Sequence, residues 1–195
     1  MYVLIPNYHN TNRGLRQAKL VETVWSVVPS FCLIGLALPS LHLLYVMDEI
    51  GDPSMCVKAV GHQWYWSYEF SAGSNVVGFD SFLERGDYDT SYRLLDVDQR
   101  IVAPVGTGIR WMISSTDVIH SFALPSCMLK VDAVPGRINE ISMVVRQSGV
   151  LYGQCSEICG ANHSFMPIVV EFVPVSVYNA WWKCMSENSD MVIVG

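Results

Sequence analysis

No Asp, Glu, Lys or Arg occurs between Thr23 and Met47, a gap of 25 residues. A helix over such a gap rises about 37 Å, enough to cross a hydrocarbon layer of about 30 Å with some tilt. Pro29 and Pro39 would break a soluble helix here but are tolerated in a membrane, where neighbours re-satisfy the freed carbonyls. Other absences exclude functions. The chain lacks a Ser-His-Asp or Cys-His nucleophilic arrangement, a phosphate loop and a carboxylate pair placed for acid–base work. It lacks a basic stripe, which argues against nucleic acid as a partner. Residues 1–16 lack the apolar run and small-residue cleavage site of a secretory signal. Internal repeats and low-complexity tracts are also missing.

What is present starts with an excess of apolar residues. They make up 51% of 195 residues, and the mean hydropathy is +0.28, more than one ordinary domain needs. A single membrane segment accounts for the excess. Arg13, Arg16 and Lys19 precede it, and Asp48, Glu49 and Asp52 follow. The positive-inside rule then places the N-terminus on the matrix or cytoplasmic side and the larger domain outside. Residues 48–195 hold 9 of the 12 basic and 17 of the 18 acidic residues, a net charge of 9 − 17 = −8. An acidic outer domain steers a basic partner, although the same charge also serves solubility. Glu22, at the inner mouth of the helix, suits a first-turn acid complementing the helix dipole.

Beyond Asp52 the texture becomes β. In Val57–Phe70, His62, Trp64, Trp66, Tyr68 and Phe70 alternate with Gln63, Tyr65, Ser67 and Glu69, a strand pattern. Residues 71–100 read as a loop-rich acidic excursion carrying Asp80, Glu84, Asp87, Asp89, Asp96 and Asp98. Short strands are expected at Arg100–Val105, Ile109–Ser114, His120–Leu124, Gly136–Val145 and Pro167–Val173. Their spacing suggests a sandwich or Greek-key barrel. Val175–Met185 reads as a closing helix and 186–195 as a loose tail.

The chemistry is concentrated in residues 155–166, where Cys155, Cys159, His163 and Met166 fall within 12 residues, with His120 35 residues upstream of Cys155. These soft and borderline donors select copper or zinc over hard cations. One tetrahedral zinc would use Cys155, Cys159, His163 and His120 and leave Met166 idle. One blue copper would leave a cysteine spare. Two coppers bridged by both thiolates use every donor, each metal taking one histidine, with Met166 and a backbone carbonyl at the two ends. A Cys155–Cys159 disulfide with Met166 in the core stands as the alternative. Cys32, Cys56, Cys127 and Cys184 are poorly placed for a disulfide framework and read as small buried or surface residues.

Residues 152–167, Tyr-Gly-Gln-Cys-Ser-Glu-Ile-Cys-Gly-Ala-Asn-His-Ser-Phe-Met-Pro, closely resemble the copper loop of cytochrome c oxidase subunit II. The resemblance extends to Gly-His-Gln-Trp-Tyr-Trp-Ser-Tyr-Glu (61–69), Ser-Ser-Thr-Asp-Val-Ile-His-Ser-Phe (114–122) and Ala-Leu-Pro-Ser-Leu (37–41), and covers roughly residues 17–183. It implies a mainly β, cupredoxin-like Greek-key barrel preceded by one transmembrane helix. It implies that His120, Cys155, Cys159, His163 and Met166 ligate a dinuclear copper centre. Glu157 resembles the residue that offers copper its backbone carbonyl and gives its carboxylate to a Mg2+ shared with the catalytic subunit. Trp64 resembles the indole through which cytochrome c delivers its electron. Glu22, in Val-Glu-Thr-Val-Trp, resembles the glutamate at the entry of a proton path. Glu69, Asp117 and part of the 71–100 excursion would then form a docking patch for cytochrome c, and His62 and Gln63 either line the catalytic-subunit interface or serve structure.

The resulting expectation is an N-terminal matrix-side segment (1–19), a transmembrane helix (20–48), a copper domain with its C-terminal helix (49–185) and a tail (186–195). The partners would be cytochrome c, the haem-containing catalytic subunit I and other subunits of the complex, in the mitochondrial inner membrane, with the copper domain in the intermembrane space. Two departures from the family pattern stand out. Members usually have two membrane helices, and this chain shows one, so the first is either supplied by a separate chain, as in a split-gene product, which is the preferred expectation, or dispensed with. Thr116 stands where an acid is often found beside Asp117. A membrane-tethered copper carrier or a zinc-stabilised interaction domain is the competing class. Quinol-oxidising relatives are disfavoured because all copper positions are intact, and a nitrous oxide reductase domain is disfavoured by the membrane helix and Glu22.

Overall fold

The computed structural model describes residues 14, 16–48, 53–72, 75–84 and 92–189, and divides the chain into two compact units between residues 49 and 50. Arg13, Glu49, Asp52, Asp87, Asp89 and residues 190–195, all named above, lie outside the described residues.

Among the described residues the first unit holds one helix, α1 (Lys19–Asp48). It is long and apolar enough to cross a membrane. Its large side chains, among them Leu20, Trp25, Phe31, Leu33 and Leu38, are all exposed within the chain, as befits a helix solvated by lipid or by other membrane helices. The hydroxyls of Thr23, Ser26, Ser30 and Ser40 each donate to the carbonyl four residues back, at 2.7–2.8 Å. Polar side chains thereby satisfy themselves within an apolar helix.

The second unit is mainly β, a cupredoxin-like arrangement closed by a helix. A five-stranded sheet has the order β3 (Asn75–Ser81), β2 (Tyr65–Ala72), β1 (Met55–His62), β5 (Ile109–Ser115), β8 (Asn139–Met143). A three-stranded sheet has the order β4 (Ile101–Pro104), β10 (Pro167–Val173), β9 (Gly149–Gln154). The remaining pair is β6 (His120–Leu124) with β7 (Leu129–Ala133). Pairing is antiparallel except for β1 with β5 and β10 with β4.

The alternation that reads as one strand over Val57–Phe70 is in fact a hairpin, β1 and β2 joined at Gln63–Trp64, with His62 facing Tyr65. No Gly or Pro marks that turn, so the period-2 pattern runs straight across it. β3, within the expected acidic loop, and β7 and β9 were not expected as strands. α2 (Val175–Ser189) continues four residues past its expected end at Met185.

The core lies between the sheets. Trp66, Phe70, Ile109, Trp111, Ile113, Phe122, Ile168 and Phe172 are essentially inaccessible there. β5 alternates as a half-buried strand should, with Ile109, Trp111, Ile113 and Ser115 inward. β6 is buried at every position, which carries its first residue, His120, into the interior. Gly153 of β9 crosses directly over Ala123, where a Cβ would collide with the Ala123 carbonyl. That approach brings the end of β9, and the donor loop after it, against the start of β6.

Candidate metal centre

β9 and β10 pair antiparallel up to Gln154 and Pro167, so residues 155–166 form a loop whose ends are pinned together. The Cys155 N–H closes it on the Met166 carbonyl at 3.3 Å, and the Ser156 N–H ties it to the Ser121 carbonyl of β6 at 3.0 Å. A short 3-10 turn, His163–Phe165, then aims His163 back at Cys159. Sequence spacing, turn and strand ends thus place four donors at one end of the barrel, and β6 supplies the fifth.

The two sulfurs of Cys155 and Cys159 lie 4.0 Å apart as free thiols. Each faces the Nδ1 of a different histidine: Cys155 Sγ is 3.8 Å from His120 and Cys159 Sγ is 3.4 Å from His163. Met166 Sδ sits 3.6 Å from Cys159 Sγ, and the Glu157 carbonyl 3.4 Å from Cys155 Sγ. Cys155, Cys159, Met166 and His120 are buried, while His163 and Glu157 are half-buried. Donor atoms of His120, Cys155 and Cys159 all lie within 4.8 Å of one another, close enough to share a metal. All six residues expected as ligands therefore converge.

Asp117 orients the deepest of them. Its Oδ1 lies 2.8 Å from His120 Nε2, and a carboxylate can only accept, so Nε2 carries the proton and the Nδ1 lone pair faces the thiols. Burial opposes a charge on His120, yet the contacts with Cys155 and Asp117 outweigh it and hold its pKa above the ordinary 6.5. Burial likewise pushes against ionised Asp117, but bonds from His120 and from the Val118 and Gln63 N–H groups hold it below 3.8. Gly61 of β1 lies against the other face of the imidazole, where a Cβ would come within 2.8 Å of the ring.

The thiols are unlike as acids. Burial raises both, but the His120 contact and nearby backbone groups bring Cys155 down to about 7, whereas burial and the Cys155 charge push Cys159 up to about 12. The pair gives up one proton readily and resists losing the second. Two buried thiolates at this spacing require cationic charge between them, and a soft cation between two sulfurs, two imidazoles and a thioether is the natural source. This donor set fits copper.

Trp64 is half-buried at the β1–β2 turn, and its indole N–H donates to the Cys159 carbonyl at 3.3 Å. The Gln63 amide donates to the same carbonyl at 2.7 Å, and the Gln63 N–H donates to Asp117 Oδ2 at 2.6 Å. The bonds made by Gln63 are not visible in the sequence, whereas Asp117, three residues before His120, was a usable signal for its orienting role. His62 bonds Ser67 at 2.8 Å and Thr116 at 2.9 Å and stacks on Tyr65, so the departure at Thr116 gives that imidazole a hydroxyl partner. Of the acids expected to dock a partner, Glu69 pairs with Lys58 at 2.8 Å. Glu22 belongs to the helical unit, where its carboxylate accepts the Ala18 N–H at 3.1 Å in the manner of a cap.

Residues 55–173 match the family of cytochrome C oxidase subunit II, periplasmic domain, and residues 2–43 match the transmembrane domain of the same subunit. The chain belongs to the cytochrome c oxidase subunit II family. It is 49% identical over 173 residues to "Cytochrome c oxidase subunit 2" of Acheta domesticus, covering 89% of this chain and 76% of that protein. The crystal structure of the periplasmic domain of subunit II (CoxB) of Bradyrhizobium japonicum superposes with a TM-score of 0.66 at 40% identity, over 71% of this chain and 98% of that one. A second structure, a mixed disulfide intermediate between a thioredoxin-like protein and a subunit II periplasmic domain, gives a TM-score of 0.62 at 38% identity, over 72% and 96% of the two chains. Family membership makes this chain a membrane-anchored subunit of cytochrome c oxidase, an oxidoreductase of several subunits, and α1 is its candidate anchor.

Proposed function

We propose that this chain is the electron-entry subunit of its oxidase, taking electrons singly from cytochrome c at a dinuclear copper centre and passing them to haem in the catalytic subunit, where oxygen reduction is coupled to proton pumping. The observation that carries the reading is the pair of thiols 4.0 Å apart, each facing the Nδ1 of its own histidine. His120, Cys155, Cys159, His163 and Met166 hold the metals by their side chains, and Glu157 by its carbonyl. When bound, the copper pair would supply a one-electron couple. The protein's part is to keep the donors still as charge comes and goes, through Asp117 behind His120, the pinned loop ends and the buried surroundings.

Trp64, half-buried over the Cys159 carbonyl, is the entry point for the electron, beside the acidic docking surface. The Glu157 carboxylate holds Mg2+ at the catalytic-subunit interface, and Glu22 opens a proton path. On this reading 20–48 is the transmembrane helix and the copper domain, expected at 49–185, extends to the end of α2 at Ser189, with the copper domain in the intermembrane space and α1 in the mitochondrial inner membrane. A thioredoxin-like protein, of the kind caught in the mixed disulfide structure, is a further partner for the Cys155 and Cys159 thiols before metal loading.

The test is electron paramagnetic resonance of the full chain in detergent after copper loading. Hyperfine splitting shared over two copper nuclei, with two coppers bound per chain, is the expected result. A single-copper spectrum, or zinc held in preference with no signal, would overturn the dinuclear reading in favour of a carrier or a zinc-stabilised domain.

A further inference from the structure

Gln63 makes two hydrogen bonds in opposite directions. Its main-chain N–H reaches Asp117 Oδ2 at 2.6 Å, and its side-chain amide reaches the Cys159 carbonyl at 2.7 Å. The first partner is the carboxylate whose other oxygen holds His120 Nε2 at 2.8 Å. The second belongs to a residue whose thiol faces His163 Nδ1 at 3.4 Å and Met166 Sδ at 3.6 Å. One turn residue therefore spans the two segments that carry the metal donors, across separations of 54 and 96 residues in the chain.

The surroundings leave this brace little freedom. Gly160, next to Cys159, has a φ of +122°, and a Cβ there would lie 3.0 Å from the Trp64 ring and 3.2 Å from Gln63 Nε2. The loop backbone can approach the turn this closely only without a side chain at residue 160. The Trp64 indole adds a second, longer bond to the same carbonyl at 3.3 Å, so both acceptor positions of that oxygen are used.

We propose that Gln63 is a positioning residue that fixes the Cys159 thiolate relative to His120, and thereby tunes the copper pair; the tuning rests on the dinuclear copper reading above. Holding the Cys159 carbonyl plane fixes the direction of its Cα–Cβ bond. A small rotation there would move the sulfur away from His163, Met166 and Cys155 together. Gln63 touches no ligand atom itself and acts through main-chain geometry.

The test compares Gln63→Leu, which removes the donor, and Gln63→Glu, which keeps the shape but sets a carboxylate against the carbonyl, with wild type in the full chain in detergent. Two readouts are needed. In the metal-free chain, alkylation of Cys155 and Cys159 by iodoacetamide should quicken about fivefold in both variants, the factor for losing one ordinary hydrogen bond, with the melting temperature lowered by no more than the roughly 2–4 °C that the same loss produces. After copper loading, both variants should keep two coppers but show altered hyperfine splitting and a displaced midpoint potential, Gln63→Glu more than Gln63→Leu. Trp64→Phe, which removes only the longer bond, should shift both readouts less. Unchanged alkylation together with unchanged splitting and potential in both Gln63 variants would overturn the proposal, even if electron delivery by cytochrome c slowed, because Gln63 would then be a docking contact. If the wild-type chain itself failed to bind paired copper, the dinuclear reading would fall with the tuning. The alkylation rates would still decide whether Gln63 braces the thiols.

Discussion

Cys155 and Cys159 hold their sulfurs 4.0 Å apart, and the nearest imidazole nitrogen to each belongs to a different histidine. On the proposed dinuclear reading, each of two coppers bridged by these sulfurs would take one of the two imidazoles. Replacing either cysteine by serine should therefore reduce copper binding from two ions to one or none, and abolish the shared hyperfine pattern. Metal analysis of the purified variants, alongside their spectra, checks this. Capture should also depend on pH. The Cys155 thiol ionises near 7, so copper uptake by the metal-free chain should fall as pH drops below that value, where the thiolate ligand is lost.

Asp117 and His120 give the metal-free chain a second pH signature. The histidine is held above 6.5, so its contribution to stability is complete below 6.5 and is lost as pH rises through its raised folded value. The carboxylate is held below 3.8, so its contribution is present above 3.8 and is lost as pH falls through its depressed folded value. The pair therefore stabilises most between those limits. Asp117→Asn should flatten the dependence and lower the melting temperature within that window by about 2–4 °C, the shift that about 1 kcal/mol produces in a domain of this size. Thermal melts of the metal-free chain across the pH range measure it.

Gly61 backs the His120 ring so closely that a methyl group must displace it, with atoms at 2.8 and 2.9 Å belonging to the imidazole itself. Gly61→Ala should cost about 1–3 kcal/mol as overpacking. Its sharper consequence is local: His120 should swing away from Cys155, so copper affinity falls more than stability does. Copper titration compared with unfolding of the same variant separates the two effects.

The donors were legible because they are chemically loud and, apart from His120, adjacent in sequence. Cys155, Cys159, His163 and Met166 announce a soft metal by type and spacing, and charge-free residues 23–47 announce α1. What the sequence could not display is anything made by ordinary residues across long separations. Gln63 reaches Cys159 over 96 positions with an amide that would suit any surface. Asp117 took its docking role from the resemblance; its carboxylate also reaches His120 Nε2 at 2.8 Å, a contact that its place three residues before His120 could have suggested. The β1–β2 hairpin was hidden because Gln63–Trp64 turns the chain without glycine or proline, so alternation continued through the reversal. β9, Gly-Val-Leu-Tyr-Gly-Gln, carries two glycines that suggest a loop; Gly153 is there because Ala123 lies against it.

Glu22 has one observed role and one proposed role, and one substitution can separate them. Its carboxylate accepts the Ala18 N–H at 3.1 Å, so it caps the start of α1, and this alone would explain an acid in the first turn. A proton-path entry needs more, because the group must exchange protons with water. Glu22→Gln preserves an oxygen that can accept the Ala18 N–H, and it removes only the charge, worth about 0.3–1 kcal/mol at a helix start. A pure cap would leave the assembled oxidase turning over and taking up protons as before. The proton-path role predicts that proton uptake falls about tenfold or more, as loss of a positioned acid–base group does, while reduction of the copper centre by cytochrome c through Trp64 keeps its rate. Stopped-flow measurement of both steps in the same Glu22→Gln complex distinguishes the cases, and Glu22→Asp, ionisable but shorter, should recover part of the uptake.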